Sequence, residues 1–311
     1  MTHSGGPVAL ITGASSGIGM DIARQLAIAD TYGRIYLACR NRQKAELAKV
    51  SLERSTRKNT FEIVEMDLSS PRSVRMALST IDHTIDDLFM NAGGIGGRDP
   101  LALTDDGVTR IFACNVLGHV VLLDSLLAAG RLRRGAVLAG SEAARGVPML
   151  GMGAPKLKES SVEEFASLCN GDYFRERRPD PITAYAHVKY VGAMWLSAEA
   201  RKWPDLKLLT VSPGNTRNTA VMTDFPAPVR LVMKYLFTPV IAPALRMVHD
   251  VDRGAKRMID ALSQPAFKTG HFYASGKHAL TGPLVDQSDI LADLANESFQ
   301  DNANEAVHRF L

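Results

Sequence analysis

Short apolar runs rich in β-branched residues alternate along the chain with longer stretches whose apolar residues recur every three or four positions. The run Val8–Ile11 is too short for a helix, whereas Ile18, Ile22 and Leu26 recur at helical spacing. Parallel strands need crossover connections of helix length, so this alternation predicts an α/β fold, a doubly wound parallel sheet with helices on both faces. The other predicted strands are Arg34–Cys39, Phe61–Met66, Asp87–Met90, Ala136–Gly140 and Leu208–Val211, and the other helices are Lys44–Leu52, Ser73–Ser79, Gly107–Leu127 and Ile182–Ala200.

A glycine-rich turn joins the first strand to the first helix and reads TGASSGIG from Thr12 to Gly19. Gly13 permits the turn, Gly17 lets backbone approach a pyrophosphate, and Gly19 lets the helix pack closely on the sheet. The N-terminus of the helix then presents unpaired N–H groups and a positive dipole end to an anion. Glycine clusters also occur in ordinary turns, so the motifs that follow carry the prediction of a nucleotide site.

The spacing GxxxGxG with Thr12 before it resembles the short-chain dehydrogenase/reductase family. The resemblance implies a single Rossmann-like domain over residues 1–311 that binds a nicotinamide cofactor. An insertion before the predicted catalytic tyrosine makes the chain resemble the branch that holds carbonyl, retinol and protochlorophyllide reductases. Further motifs appear in the family's order: Asp67–Leu68, Asn91–Ala92–Gly93, Asn115, Ser141, Tyr185 with Lys189, and Pro213–Gly214.

The end of the second strand indicates which cofactor binds. Chains that take NAD carry an acidic residue about 20 residues past the glycines, where it hydrogen-bonds the ribose hydroxyl. The segment Leu37–Asn41 reads LACRN and holds no acid, whereas Arg40 suits a 2′-phosphate. The sequence therefore predicts NADP(H), with Arg42 and Ser16 as supporting candidates only. In the family, NADP users often have a basic residue just before the middle glycine, where this chain has Ser16. The alternative is that Arg40 is only a surface residue at a strand end.

The resemblance assigns roles to the other cofactor residues. Asp67 is expected to contact the adenine, although it or Ser69 can equally cap the helix after Pro71. Thr219 is expected to bond the carboxamide and the diphosphate. The residues expected to bind the cofactor are Gly13, Ser15, Ser16, Gly17, Ile18, Gly19, Arg40, Asp67, Leu68, Asn91, Ala92, Gly93, Tyr185, Lys189, Pro213, Gly214, Thr216 and Thr219.

Tyr185 and Lys189 stand four apart on a predicted helix, so both side chains lie on one face. A tyrosine titrates near 10, and a neighbouring ammonium together with the nicotinamide charge is expected to lower the pKa of Tyr185. The phenol then donates a proton to a carbonyl oxygen as hydride arrives, or removes one from an alcohol. Such pairs are common on amphipathic helices, but the position after the fifth strand favours catalysis.

Two further residues complete the predicted catalytic set. Ser141 follows a strand-like run, where its hydroxyl can orient the substrate oxygen or merely cap a turn. By resemblance, Asn115 kinks its helix and holds a water that relays protons to the lysine. His119 and His187 are interpreted as packing or surface residues. No HExxH or paired CxxC occurs, so no catalytic metal is predicted.

The insertion, residues 143–182, is expected to be an irregular lid with one short helix around Val162–Cys169. Asn215 stands where protochlorophyllide reductases usually have a cysteine. Because the insertion precedes the helix through which many family members pair, a monomer, or a dimer through another surface, is predicted. Residues 219–248 are rich in Leu, Met, Val and Pro, which suits a lid over a bulky hydrophobic substrate or extra core helices.

Composition agrees with a soluble enzyme: 311 residues, 46% hydrophobic, can bury one large core. The net charge of +3 is mildly basic. Two arginine clusters are interpreted as solvated loop charge, so no nucleic-acid partner is predicted. These clusters are Arg131, Arg133 and Arg134, and Arg175, Arg177 and Arg178.

Cysteine usage and hydropathy predict a cytoplasmic location. Cys39, Cys114 and Cys169 are few and far apart, which argues against disulfides and metal spacing. The N-terminal residues lack a signal-peptide pattern. Val116–Ala129 and Val229–Val248 are interrupted by charges or prolines, so no integral membrane segment is predicted.

Together these features predict an NADP(H)-dependent oxidoreductase that transfers hydride between nicotinamide and a carbonyl or alcohol of a bulky hydrophobic substrate. One alternative is a C=C reductase on the same scaffold, acting on an enone or a protochlorophyllide-like compound. Another is a catalytically silent NADP-binding regulatory protein.

Overall fold

The computed structural model describes residues 6–148, 151–176, 180–216 and 248–311. The strands are β1 Val8–Thr12, β2 Arg34–Cys39, β3 Phe61–Glu65, β4 Ile85–Met90, β5 Leu132–Ala139, β6 Lys207–Val211, β7 Phe272–Ser275 and β8 Leu284–Asp286. They form one sheet in the order β3-β2-β1-β4-β5-β6-β7-β8. The helices are α1 Gly17–Ala29, α2 Arg42–Thr56, α3 Pro71–Ser79, α4 Arg110–Ala128, α5 Val162–Asn170, α6 Pro181–Lys202, α7 Val251–Ser263 and α8 Glu297–His308.

Helices cover both faces of this sheet. On one face α1 and α7 bury residues such as Ile22 and Met258. On the other face α4 and α6 bury residues such as Val120 and Trp195. Strands β1 and β4 are buried at every residue, as expected for parallel strands that are covered on both sides. The predicted single-domain, Rossmann-like α/β fold is confirmed.

The sheet is parallel except at one edge, where β8 pairs antiparallel with β7. An antiparallel partner can follow after a short loop, whereas a parallel one needs a crossover. The four elements after residue 250, namely α7, β7, β8 and α8, were not predicted from the sequence. Strands β7 and β8 extend the sheet beside β6, and α8 covers α6.

The loop before α3 corrects one prediction. Ser70 is the N-cap of α3, since its Oγ accepts a hydrogen bond of 3.3 Å from the Ser73 amide, and Pro71 opens the helix. Asp67 instead accepts bonds from the amide and hydroxyl of Ser69, at 2.9 and 2.7 Å. The alternative that Asp67 or Ser69 caps the helix is therefore wrong.

Arg133 and Arg134 lie within β5, not in a loop. Arg133 pairs with the buried Asp86 at 3.4 Å, and Arg134 pairs with the buried Asp87. Their interpretation as loop charge is wrong, because they lie in a strand and pair with two carboxylates on the neighbouring strand β4, although both side chains remain solvent-exposed. Of the other arginines in the two clusters, Arg131 donates to backbone carbonyls, Arg175 pairs with Asp172, and Arg177 and Arg178 lie outside the described residues.

Helix α4 is apolar enough, by length and composition, to cross a membrane. Its most apolar window has a mean hydropathy of 1.9, although Asp124 interrupts it, and 78% of that window is buried inside the protein. The core helix of a soluble protein has the same properties, and in this fold α4 packs beside α6 on one face of the sheet. The helix begins at Arg110, after Thr109 as N-cap, and not at Gly107 as predicted.

The insertion between Ser141 and Tyr185 contains the predicted short helix, α5. A 3₁₀ turn, Glu142–Arg145, precedes it, and Val147 pairs with Met152 in an isolated bridge. Helix α5 packs against α8, and the backbone of Ser160, just before α5, accepts a hydrogen bond of 2.9 Å from Asn302 of α8. The insertion thus joins α8 in covering α6.

Candidate active site

The glycine-rich turn has the conformation and the free space that an anion requires. Gly13 and Gly17 have φ of +67° and +55°. A Cβ on Gly19 would lie 2.5 Å from the Gly13 carbonyl oxygen, whereas one on Gly17 would enter open space. Ser16, the N-cap of α1, makes no side-chain cap hydrogen bond. The first amides of α1 thus remain open to a ligand above Gly17, next to Ser15 and Ile18.

Hydrogen bonds made by three side chains, those of Thr12, Asn91 and His119, hold this turn against the end of β4. Asn91 Nδ2 donates to the Thr12 carbonyl at 3.0 Å, and the Thr12 hydroxyl accepts from the Ala92 amide at 2.9 Å. His119 Nε2 lies 3.0 Å from the same hydroxyl. Because Asn91 and Ala92 follow β4, these bonds fix the end of that strand against the turn.

Arg40 is exposed just past β2, beside the turn. Asn41 caps α2 by accepting a 2.8 Å bond from the Lys44 amide, which fixes the backbone next to Arg40. Arg42 pairs with Glu46 at 3.5 Å. Among the described residues Arg40 has no ion-pair partner, so its guanidinium is free to bind an anion.

Asn115 lies at a π-helical turn, Ala113–Leu117, inside α4. Its side chain is fully buried, donates to the Gly94 carbonyl at 2.8 Å and accepts from the Gly94 amide at 3.1 Å. A Cβ on Gly93 would lie 2.4 Å from Asn115 Oδ1. The widened helical turn therefore brings the Asn115 side chain into contact with the loop after β4. The predicted irregularity of the helix lies at this residue.

Ser141, Tyr185 and Lys189 meet at the carboxyl end of β5. The Ser141 hydroxyl hydrogen-bonds the Tyr185 phenol and also caps the 3₁₀ turn through the Ala143 amide at 3.2 Å. Lys189 Nζ donates to the Ala139 carbonyl at 2.7 Å and lies 5.5 Å from the centre of the Tyr185 ring. Both suggested functions of Ser141, orientation and capping, are therefore compatible with its position.

Burial controls the protonation of this pair. It raises the pKa of the Tyr185 phenol well above its usual range, against the opposing effect of the Ser141 hydrogen bond. The same burial lowers the pKa of Lys189 to about 8. The expected lowering of the tyrosine pKa is thus not produced by the protein's own groups. These groups keep the phenol neutral, the form that can donate a proton.

The Pro213–Gly214 turn follows β6. Gly214 has φ of +78°, and its amide donates to the Ser212 hydroxyl at 3.0 Å. His249 Nε2 lies 2.7 Å from the Pro213 carbonyl oxygen. Thr216 pairs with His249 in an isolated parallel bridge. Thr219 and the predicted lid up to residue 247 lie outside the described residues.

In the loop after β3, Leu68 is buried against α4. A Cβ on Gly118 would lie 2.2 Å from the Leu68 carbonyl oxygen. Asp67, beside it, is half-buried at the end of β3. The structure thus brings the predicted residues that it describes to one edge of the sheet, where ligands bind in open α/β folds.

Several buried polar residues lie next to this site: His119, which the sequence analysis interpreted as a packing or surface residue, and two residues to which it gave no role. His119 is fully buried, and its Nδ1 lies 3.1 Å from the Asn115 carbonyl oxygen. Burial lowers the pKa of His119 to about 3, so this ring is neutral. Its spacing of four residues from Asn115 was the available signal. Glu142, next to Ser141, and Arg257, in α7, were missed, and no local pattern marked them.

A cavity of about 440 Å³ opens beyond the Ser141 turn. Its wall begins at Arg145, four residues past Ser141, and includes Met152, Ile290 and Leu291. Val147 and Met152 also pack with Val248, the first described residue after the gap. An apolar cavity therefore lies within a few residues of the serine.

In the described part of the chain, Asp124, Glu199 and His308 place ligand atoms within 4.8 Å of one another. His308 already pairs with Asp124 at 3.0 Å, and Glu199 pairs with Lys202 at 2.8 Å. The group lies where α4, α6 and α8 meet, and the ammonium of Lys202 neutralises part of its negative charge. The prediction that no metal takes part in catalysis stays a prediction.

Comparison with known proteins gives matches of family and fold. The family model described as short chain dehydrogenase matches residues 7–152. Retinol dehydrogenase 12 from Bos taurus is 35% identical over 134 residues, 42% of this chain and 40% of that protein. A WW domain-containing oxidoreductase from Danio rerio is 30% identical over 220 residues, 65% of this chain and 52% of that protein.

The chain thus spans about half or less of the length of these two relatives. Among solved structures, levodione reductase superposes with a TM-score of 0.60 at 18% identity, covering 92% of this chain and 98% of that one. At such identity the likeness concerns the fold alone.

Proposed function

Because this chain belongs to the short-chain dehydrogenase/reductase family of oxidoreductases, we propose that it is an NADP(H)-dependent enzyme acting on a carbonyl or alcohol of a bulky hydrophobic substrate. The observation that carries the proposal is the meeting of Ser141, Tyr185 and the buried Lys189 in one partly buried site at the carboxyl edge of the sheet. When bound, the cofactor supplies or accepts the hydride.

The described residues fit this cofactor. The open space above Gly17 and the uncapped amides of α1 suit a diphosphate. The unpaired guanidinium of Arg40 suits a 2′-phosphate. The loop Asn91–Gly93 and the turn Pro213–Gly214, with Thr216 after it, would hold the nicotinamide side, and Asp67 with Leu68 would face the adenine.

Tyr185 is the proposed proton donor. Its neutral phenol gives a proton to the carbonyl oxygen in the reduction, and its phenolate takes one from the alcohol in the reverse reaction. The Ser141 hydroxyl, which bonds the phenol, orients the same substrate oxygen. Asn115 holds the loop at Gly94, and the Lys189 ammonium lies between this loop and Ala139. Lys189 would thereby place its charge beside the phenol and favour ionisation in the alcohol direction.

The cavity beyond Ser141 supports a hydrophobic substrate. Met152, Ile290 and Leu291 contribute apolar wall to a volume of about 440 Å³, within the range of small-molecule pockets. A carbonyl at Ser141 and Tyr185 can therefore extend an apolar body into this space. The lid proposed for residues 219–248 and the insertion 143–182 would complete one domain over residues 1–311.

A panel of lipophilic ketones, aldehydes, quinones and enones, tested with NADPH and NADH in parallel, examines this proposal. We expect NADPH-dependent formation of an alcohol from at least one carbonyl compound. An enone that loses its double bond would instead support the C=C reductase. Cofactor binding without turnover across the panel would support the silent regulatory protein.

We also propose a monomer, or a dimer through a surface other than α6. Helix α8 packs along α6, and Arg201 and Lys202 of α6 bond Asp301 and Asn304 of α8. Helix α5 lies against the same pair of helices. Helix α6, through which many family members pair, is therefore covered by α5 and α8. Size-exclusion chromatography with light scattering should show no tetramer; a tetramer built on α4 and α6 would contradict this.

A cytoplasmic location is part of the same proposal. All three cysteine thiols are free, at Cys39, Cys114 and Cys169, which suits a reducing compartment. The substrate is taken to be a small molecule, and no nucleic-acid partner is proposed.

A further inference from the structure

A buried carboxylate stands directly behind Ser141 and has no part in the proton transfer described above. Glu142 is 4% exposed. One of its oxygens accepts from the Ser275 amide and hydroxyl at 3.2 and 2.9 Å, and the other accepts from the Ser212 hydroxyl at 2.5 Å. Glu142 thus joins the Ser141 turn to the ends of β6 and β7.

Arg257 of α7 completes this cluster from below. Its Nη1 lies 3.7 Å from the Glu142 carboxylate, and its Nη2 donates to the Ser275 hydroxyl at 3.1 Å. A Cβ on Gly214 would lie 2.5 Å from Arg257 Nη1. The guanidinium therefore packs directly beneath the Pro213–Gly214 turn.

The bonds run without interruption from one turn to the other. Ser212 donates to Glu142 and accepts from the Gly214 amide at 3.0 Å, so a single hydroxyl separates the carboxylate from the backbone of that turn. Glu142 is adjacent to Ser141 in the chain. A shift of the carboxylate would therefore move both turns.

We propose that Glu142, together with Arg257, is a positioning residue that holds the Ser141 turn and the Pro213–Gly214 turn at a set separation. This inference rests on the proposed function, in which the first turn orients the substrate oxygen and the second holds the nicotinamide side. The carboxylate thereby couples the seating of the cofactor to the alignment of the proton donor.

Stability alone is a weak reason for such a pair. Removing two charges from water costs free energy that their attraction repays only in good geometry, so a buried ion pair often contributes little net stability. The pair can instead favour catalysis by keeping the two active-site turns at the separation that hydride transfer needs. A displacement of about 1 Å in the reacting groups can lower the rate about a hundredfold. The location between two active-site turns favours alignment.

The charge of Glu142 also acts on the phenol. It raises the pKa of Tyr185, in addition to the larger effect of burial. The other charged or titratable groups around Glu142 are Arg145 in the same turn, Arg257, and His249 near the Pro213 carbonyl. Around the phenol they are Lys189 and Cys114. Replacing Glu142 with a neutral residue therefore removes a negative charge that opposes ionisation of the tyrosine.

Glu142→Gln tests the inference, with Asp87→Asn as matched control. Asp87 is 5% exposed and also bonds an arginine and a hydroxyl, Arg134 and Tyr32, but it lies near the amino end of β4, away from the site. We expect Glu142→Gln to lower kcat about tenfold or more and to weaken NADPH binding in fluorescence titration. We also expect the acidic limb of alcohol oxidation, along which the rate rises as Tyr185 ionises, to move to lower pH. The control should keep kcat, NADPH affinity and pH profile.

Ser212→Ala provides a second variant if Glu142→Gln does not fold. It breaks the link to Gly214 but keeps the carboxylate charge, so kcat and NADPH affinity should fall while the pH limb stays in place. Wild-type kcat, NADPH affinity and pH profile in the variants would overturn the inference. Failure of the proposed function looks different: the wild-type protein would reduce nothing in the panel. The NADPH titration would then still decide the inference, because only the control should retain full affinity.

Discussion

Replacement of Tyr185 by phenylalanine should lower turnover by about a hundredfold to ten-thousandfold while NADPH binding stays near the wild-type value. The loss follows from removal of the only atom that delivers the proton, and positioned proton donors contribute about that factor. The ring and its packing remain, because only the hydroxyl is removed. Steady-state rates with a substrate from the carbonyl panel, together with fluorescence titration of NADPH, measure the two quantities separately.

Tyr190→Phe is the matched control. Tyr190 lies on the same helix, is fully buried and stacks on Phe165 at a centroid distance of 6.4 Å, so the variant loses an equivalent hydroxyl outside the site. It should keep its turnover. Full activity of Tyr185→Phe would mean that another acid protonates the substrate, and the mechanism proposed above would then be incorrect.

Replacement of Arg40 by aspartate should shift the cofactor preference from NADPH toward NADH by about a hundredfold or more. A charge-assisted hydrogen bond is worth about 1.5–3 kcal/mol, which corresponds to about ten- to hundredfold in affinity. The new carboxylate adds repulsion toward the 2′-phosphate. The ratio of kcat/KM for NADPH to that for NADH is the measurement.

Arg42→Ala controls for a general loss of positive charge near the turn. Arg42 stands two residues away but is paired with Glu46 at 3.5 Å, so its removal should change the ratio little. A wild-type protein that prefers NADH would contradict the role given to Arg40. So would an Arg40→Asp variant with an unchanged ratio.

Local patterns predicted the first two thirds of the fold well. Strands β1 to β6 and helices α1 to α6 lie close to their predicted bounds, except that β5 begins four residues earlier than predicted. Alternation and helical spacing are properties of consecutive residues, so they can be recognised in the sequence. The elements after residue 250 were missed although α7 buries Ala255, Met258 and Ala261 at helical spacing. That spacing was a usable signal. Strand β8, with three residues, offers too short a pattern.

Errors arose where partners distant in sequence decide the environment. Arg133 and Arg134 looked like loop charges because nothing near them in the chain shows that Asp86 and Asp87 stand on the adjacent strand. The lowered pKa of Tyr185 was predicted from Lys189 together with the nicotinamide charge, and the effect of the nicotinamide stays a prediction. Burial of the phenol by the rest of the fold has the largest effect on its pKa, and it raises the pKa.

Glycine spacing, strand–helix alternation and the four-residue step from Tyr185 to Lys189 were sufficient to predict the fold and the resemblance to the family, and they led to the proposed nucleotide edge and the proposed proton donor. These features depend on backbone conformation and on neighbours in the chain, which consecutive residues specify. The link from Glu142 to Gly214, the contact of Asn115 with Gly94 and the neutral phenol emerged only from the folded chain. Each depends on distance and desolvation among residues that folding alone brings together.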